Sequence, residues 1–264
     1  MVNAPLSLRL AAWLAALEAP AIPEPQRALA RLRLLDTAGL LLGAAASPPA
    51  VIVRAQAQRG SAGGRSSAVG CAVALRPEWA ALANGVIAHS LDYDDTFPQS
   101  VVHPGSVVVP VALALAEELG AAACELLVAV VGGYEIAARL ARAGGTAFHA
   151  RGFHASGIFA PVVAAYTAAR LMRLPAEQMA GAGGLAASMA GGLLAFTADG
   201  AWSKWLHLGW GGFGGIVAAA LARDGFRGPM GALDGRFNLY AAFIGDGAML
   251  EGADAALGAE WAGD

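Results

Sequence analysis

Residues Asn84 to Pro110 read NGVIAHSLDYDDTFPQSVVHPGSVVVP, and they set His89, Asp92, Asp94, Asp95, Thr96 and His103 between two apolar segments. Charged residues are only 14% of the chain, so acids and imidazoles this concentrated stand apart from their surroundings. Asn84 to Leu91 continues the helical pattern of the Ala-rich run before it, which puts the DYDD cluster at a helix C-terminus. That end of the helix dipole disfavours carboxylates, so each Asp needs a cation, a metal, a proton or open water. His103-Pro104-Gly105 makes a second turn, because a residue before proline leaves the α region and glycine accepts unusual dihedrals. From Ser106, a favoured N-cap type, a new helix begins. The stretch is therefore helix, polar loop, helix. Its loop can turn Asp92, Thr96 and His103 toward one cavity, with a solvated acidic loop as the competing reading.

Outward from this stretch the pattern is helical in both directions. Alternation of β-branched and aromatic residues rarely lasts, whereas Ala/Leu segments of helical period recur, so the chain reads as an all-α, multi-helix protein. Upstream, Leu6 to Leu17 and Glu24 to Ala45 are helices, the second with Arg27, Arg31 and Arg33 outside and Leu29, Leu32, Leu35 and Leu40 inside. Ser47-Pro48-Pro49 ends it, a further helix covers Ala50 to Gln58, and a Gly/Ser loop from Gly60 to Gly70 leaves room for a short extended piece. Pro77 opens the helix that leads into the central stretch. Downstream, Val107 to Leu119 and Cys124 to Arg142 form a hairpin across Gly120. Ser156 is read as the cap of a helix Ile158 to Leu171 with Pro161 in its first turn, Pro175 begins the next, and Gly209 to Ala222 continues a last one.

The net charge of −3 provides no basic surface for nucleic acid. A hydrophobic content of 57% raises the question of a membrane, and Met179 to Ala198 is uncharged and long enough to span one. It is mainly Ala and Gly, which suits closely packed helices inside a protein better than contact with lipid. The N-terminus lacks the order of charge, apolar core and cleavage site of a signal peptide. A cytoplasmic location is expected, with Cys71 and Cys124 reduced, and two isolated cysteines argue against a structural zinc site.

Two further polar islands follow the central one. His149 to Gly157 reads HARGFHASG and holds His149 and His154 beside a helix start; His149 is assigned a structural role and His154 is left open. Asp199 to Gly209 reads DGAWSKWLHLG, and Lys204 and His207, three apart, share a helix face. A lysine and a histidine converging on a cavity can hold a carboxylate, and a partly buried lysine can act as a base. The competing reading is a surface lysine between two anchoring tryptophans.

The ordered motifs LLDTAG (34–39), ALANGVIAHSLDYDDT (81–96), HPGSVVVP (103–110), ELLVAVVGGYEIAARL (125–140), GFHASG (152–157), DGAWSKWLHLGWGG (199–212) and GFRGP (225–229) resemble the MmgE/PrpD family. That family includes 2-methylcitrate dehydratase, cis-aconitate decarboxylase and iminodisuccinate epimerase. The resemblance implies an all-helical domain over 1–247, a connection beginning at 248–264 toward an α/β lid domain that this sequence lacks, and a homodimer. It implies that Asp92, Thr96, His103, His154 and Lys204 line a pocket for a small polycarboxylate, with no cofactor, metal, nucleic acid or membrane partner. In this reading His154 or His103 transfers protons, Lys204 with His207 holds substrate carboxylate, and Asp92 and Thr96 orient it. The expected activity is a lyase resembling 2-methylcitrate dehydratase, completed by a separately encoded lid subunit; the alternative is a non-catalytic helical dimerisation or binding module. Two departures are noted: the length of the loop between Thr96 and His103, and Trp210-Gly211, expected to alter the pocket floor.

Overall fold

The computed structural model describes residues 4–61 and 63–263. They form eleven α-helices joined by turns, with isolated β-bridges and, among the described residues, no strand. In chain order these are α1 (Leu6–Ala16), α2 (Glu24–Gly43), α3 (Pro48–Gly60), α4 (Pro77–His89), α5 (Gly105–Leu119), α6 (Ala123–Gly144), α7 (Ala147–Ala150), α8 (Ala155–Leu171), α9 (Ala176–Ala187), α10 (Ser203–Arg223) and α11 (Leu239–Ile244). The centre is α8, buried along its whole length, as a helix apolar on nearly every face must be, with its one charged residue, Arg170, paired to Glu125 at 3.1 Å. It packs against α1, α5, α6, α9 and α10, and α10 in turn packs on α4.

Small residues set these distances. A Cβ on Gly209 of α10 would lie 2.4 Å from the Leu82 carbonyl oxygen of α4, and one on Gly211 or Gly215 would lie 2.3 Å from the Cβ of Ala160 or Ala164 on α8. The glycines of α10 therefore bring it close to α4 on one side and α8 on the other. That contact carries Lys204 and His207 toward the ends of α4 and α8.

Several local expectations change. On α2, Leu32 and Leu35 are 62% and 70% exposed, while Ala30, Thr37, Leu40 and Leu41 face the core. Arg33, expected outside, lies over the Tyr134 ring, 3.9 Å from its centroid, and donates to the Gly263 carbonyl. Helix α8 starts at Ala155 behind His154, so Pro161 falls beyond its first turn. The Pro161 ring and missing N–H disturb the bond to Gly157, a cost the buried packing of α8 offsets. Neither Ser106 nor Ser156 caps a helix, since α5 begins behind Pro104 and both hydroxyls serve the site described below. The uncharged stretch Met179 to Ala198 is not one helix: α9 ends at Ala187, and a 3-10 turn, Leu194–Thr197, follows. Taken singly, α10 is the one described helix long and apolar enough to cross a membrane, and 56% of its apolar window is buried. Trp210 is exposed and stacked on Phe213, 5.4 Å between centroids.

The stretch after α11 returns to the helices. Arg139 on α6 is paired with Glu135 at 2.5 Å and donates to the carbonyls of Ala253, Ala255 and Glu260, while Glu135 accepts from the Gly263 N–H. Arg9 on α1 holds Asp254 at 2.6 Å, and Trp261 packs edge-on against Trp13. The described part of 248–264 is thus packed against α1 and α6; residue 264 lies outside the described residues.

Candidate active site

Helix α4 ends at His89, fully buried, and the chain turns through Asp92 with φ at 55°. Asp is among the residues that tolerate this left-handed region. Beyond that turn the three acids find three different kinds of compensation. Asp92 is exposed and forms an ion pair with Lys204 of α10. Asp94 is buried; its Oδ2 accepts from His89 Nδ1 at 2.7 Å and from the Ser106 hydroxyl at 2.6 Å. Asp95 accepts from the Gly105 N–H at 2.8 Å and the Tyr134 hydroxyl at 2.6 Å. Burial pushes the Asp94 carboxyl up, but the hydrogen bond and charge of His89, with His103 and Ser106, outweigh it and hold Asp94 below the usual carboxylate range. At Asp95 burial wins over its two hydrogen bonds, and its carboxyl is raised.

His103 is placed by a tight loop that closes with a bridge between Phe97 and Val102. Its backbone N–H donates to Ser156 of α8 at 3.2 Å. Its Nδ1 lies 3.2 Å from the Asp95 carbonyl oxygen and 3.1 Å from Thr96 Oγ1, whose own hydroxyl reaches the Asp94 carbonyl at 3.4 Å. A carbonyl oxygen only accepts, so His103 carries its proton on Nδ1 and leaves Nε2 as the free nitrogen. Burial lowers the His103 pKa, with the Asp94 charge opposing that shift.

His154 stands at the N-cap of α8, its N–H bonded to the Gly192 carbonyl. Its Nδ1 lies 3.0 Å from His207 Nδ1. One nitrogen must donate and the other accept, so the two rings take complementary tautomers. Burial first, then the neighbouring imidazoles, lowers His154 to about 2, and burial and His89 lower His207 to about 4. The positive end of the α8 dipole acts in the same direction on His154. His89 joins the two halves of the site: its ring centroid is 4.9 Å from that of His103 and 6.0 Å from that of His154, stacked on the latter. His149 is 6.3 Å from His154, so all five histidines of the chain form one connected set.

All six residues singled out in the sequence, Asp92, Thr96, His103, His154, Lys204 and His207, are thus brought to the meeting of the 90–103 loop with α8 and α10. Exposed Tyr93, Leu193, Trp202 and Leu206 accompany them. Sequence reasoning noticed His89 and Asp94 but gave them no role; the signal was there, a histidine closing a helix five residues before an acid. A cavity of about 490 Å³ opens on another side of the loop, where Arg33, Asp36 and Arg142 share its walls with Asp95 and Thr96. It touches none of the histidines.

Ligand-type atoms of His89, Asp94 and His103 lie within 4.8 Å of one another, a spacing that suits a metal triad. In the described structure the two Nδ1 atoms present N–H, His89 to Asp94 and His103 toward the Asp95 carbonyl, so neither of these nitrogens has a lone pair for a metal, and the contacts seen among the three residues are those of a hydrogen-bonded set.

Several curated proteins similar to this chain carry cis-aconitate decarboxylase in their names. It is 28% identical over 212 residues to the cis-aconitate decarboxylase-like protein oryM of Aspergillus oryzae, covering 75% of this chain and 44% of that protein. It is 34% identical over 167 residues to cis-aconitate decarboxylase of Homo sapiens, covering 61% and 34% respectively. The cis-aconitate decarboxylase of Aspergillus terreus is 24% identical over 177 residues, 65% of this chain and 36% of that one. The chain thus aligns with less than half the length of these relatives. The model of the MmgE/PrpD N-terminal domain matches residues 8–250, and the chain belongs to the MmgE/PrpD family.

Proposed function

We propose that this chain supplies the helical part of a lyase site for a small polycarboxylate, with cis-aconitate as the first substrate to test. The observation that carries the reading is the convergence of two kinds of group: His103 and His154 both lie against His89, and Lys204 pairs with Asp92 beside them. Loss of carbon dioxide from an unsaturated tricarboxylate breaks the bond to one carboxylate, moves its electron pair through the double bond and adds a proton at carbon. Dehydration of a hydroxy-tricarboxylate instead removes a proton beside a carboxylate and protonates the departing hydroxyl. Either reaction needs a group that moves a proton and a cation that holds the remaining carboxylates. His103 through Nε2 suits the first task. Lys204 suits the second, by exchanging Asp92 for a substrate carboxylate.

The solvent-exposed aromatic and aliphatic side chains at the site, together with the greater length of the relatives, support completion of the site by a covering domain or subunit. Homodimerisation of the helical part belongs to the same proposal. The test is turnover by the chain with any co-purifying partner, whose presence and stoichiometry native mass spectrometry reads. Carbon dioxide release from cis-aconitate is followed beside dehydration of 2-methylcitrate. His103→Ala and Lys204→Ala should each lower turnover by about 10²- to 10⁴-fold with helical content kept. Near-normal rates in those variants would reject the scheme. No turnover in any assembly would favour a non-catalytic helical module.

A further inference from the structure

The Asp94 carboxylate is held asymmetrically. Both of its donors, His89 Nδ1 and the Ser106 hydroxyl, bind Oδ2. Oδ1 is buried, has no hydrogen-bond partner among the described residues, and lies 3.6 Å from His103 Nδ1. A buried carboxylate oxygen without a partner costs a folded protein stability unless something else compensates it. Here the compensation available is the ring of His103, whose Nδ1 proton already points toward the acceptors on that side. We propose that Asp94, anchored by His89 and Ser106, is a positioning residue that stabilises the positive charge formed when His103 Nε2 takes up a proton, on a ring whose tautomer the Asp95 carbonyl sets.

The proposal rests on the proton-transfer role given to His103 above and extends it to three side chains that do not touch the substrate. In the step, a proton arrives at Nε2, the ring becomes an imidazolium with both nitrogens protonated, and Asp94 stays ionised throughout. When the proton leaves for the substrate, the ring returns to the Nδ1–H form. This is the general logic of a carboxylate behind a histidine. It also separates the two candidate bases. His154 faces another neutral imidazole, which stabilises a positive charge less than an anion does, whereas His103 faces a carboxylate. The charged and titratable groups around His103 are His89 from α4, Asp94 and Asp95 from the loop, His154 from α8, and Lys204 from α10 with its partner Asp92. Of these, Asp94 is the buried anion whose free oxygen faces the ring.

The test needs no substrate. Long-range proton–nitrogen correlation spectra of the five imidazoles in the full chain, assigned by single replacements, give each ring's tautomer and titration midpoint. The expected result is an Nδ1–H tautomer for His103, and a midpoint that falls by about one unit or more in Asp94→Asn, as when an opposite charge at this distance is removed. Ser106→Ala, which removes a donor from Oδ2 but keeps the Asp94 charge, should leave the His103 midpoint unchanged or raise it slightly. His149, which has no contact with Asp94, should titrate as before. An Nε2–H tautomer, or an unmoved His103 midpoint in folded Asp94→Asn, overturns the proposal. If Asp94→Asn does not fold, the Asp94 carboxyl carbon of the unaltered chain decides: a chemical shift that does not follow the His103 titration overturns the proposal. Because the readout is the free protein, failure of the lyase reading and failure of this inference appear in different experiments.

Discussion

His154 is held neutral in the folded chain and is free to protonate in the unfolded one, so it couples stability to pH. Its pKa is lowered to about 2 by burial and by the imidazoles around it, against about 6.5 in an unfolded chain. The unfolded state therefore binds more protons below that value, and stability falls as pH drops from 6.5 toward 2. By pH 4.5 the loss from this residue is on the order of 2 kcal/mol, and His207, lowered to about 4, adds a loss of the same sign. Thermal melting from pH 7 to pH 4.5 should show a falling Tm, and His154→Gln should flatten that slope. A slope unchanged in the variant would mean that His154 is not the group responsible. At this scale the sequence was legible wherever chemistry clustered along the chain: Asp92, Thr96 and His103 were visible together. The roles of Ser106 and Ser156 were not. A serine before an apolar run looks like a cap, and only the approach of another segment shows that Asp94 or the His103 N–H has taken its hydroxyl.

Among the elements, α10 depends most on small side chains. Gly211 and Gly215 leave no room for a Cβ against α8. Gly215→Val should therefore destabilise the fold by about 1–3 kcal/mol or more, read as a lower urea midpoint, and it should also displace Lys204 and His207 from their partners. Gly39→Ala on α2, where nothing stands within 4 Å of the added Cβ, is the matched control and should be neutral or slightly stabilising through helix propensity. If both variants behave alike, close packing is not what the α10 glycines provide. Periodicity predicted the existence and order of most helices, because an amphipathic or wholly apolar run reports its own burial. It misjudged the face of α2, where leucine is abundant on both sides. Leu40 meets the core as its spacing predicted, but Leu32 and Leu35 face solvent, and Ala30, Thr37 and Leu41 are buried in their place. The helix α11 escaped notice because its cap, Asn238 accepting from the Ala241 N–H, lies in a turn-rich, Gly-rich stretch with little periodic pattern.

For the molecule as a whole, the ion pair between Glu135 and Arg139 ties the end of the described chain to its middle. Both are almost fully buried, and Arg139 is the shared donor to Ala253, Ala255 and Glu260. Arg139→Ala should cost about 3–5 kcal/mol, since it leaves a buried carboxylate unpaired, and it should expose the segment after α11 to proteolysis while the site histidines still titrate. A stability loss well under 1 kcal/mol would show that the segment is held by other contacts. By itself the sequence determined the fold class, the family and the residue types of the site, because helical period, glycine-rich close-packing runs and ordered motifs are local properties of a chain. Which histidine faces a carboxylate and which faces another histidine was decided only by tertiary structure. Those pairings join α4, a loop, α8 and α10 across tens of residues, and hydrogen-bond direction at each nitrogen exists only once those elements have packed.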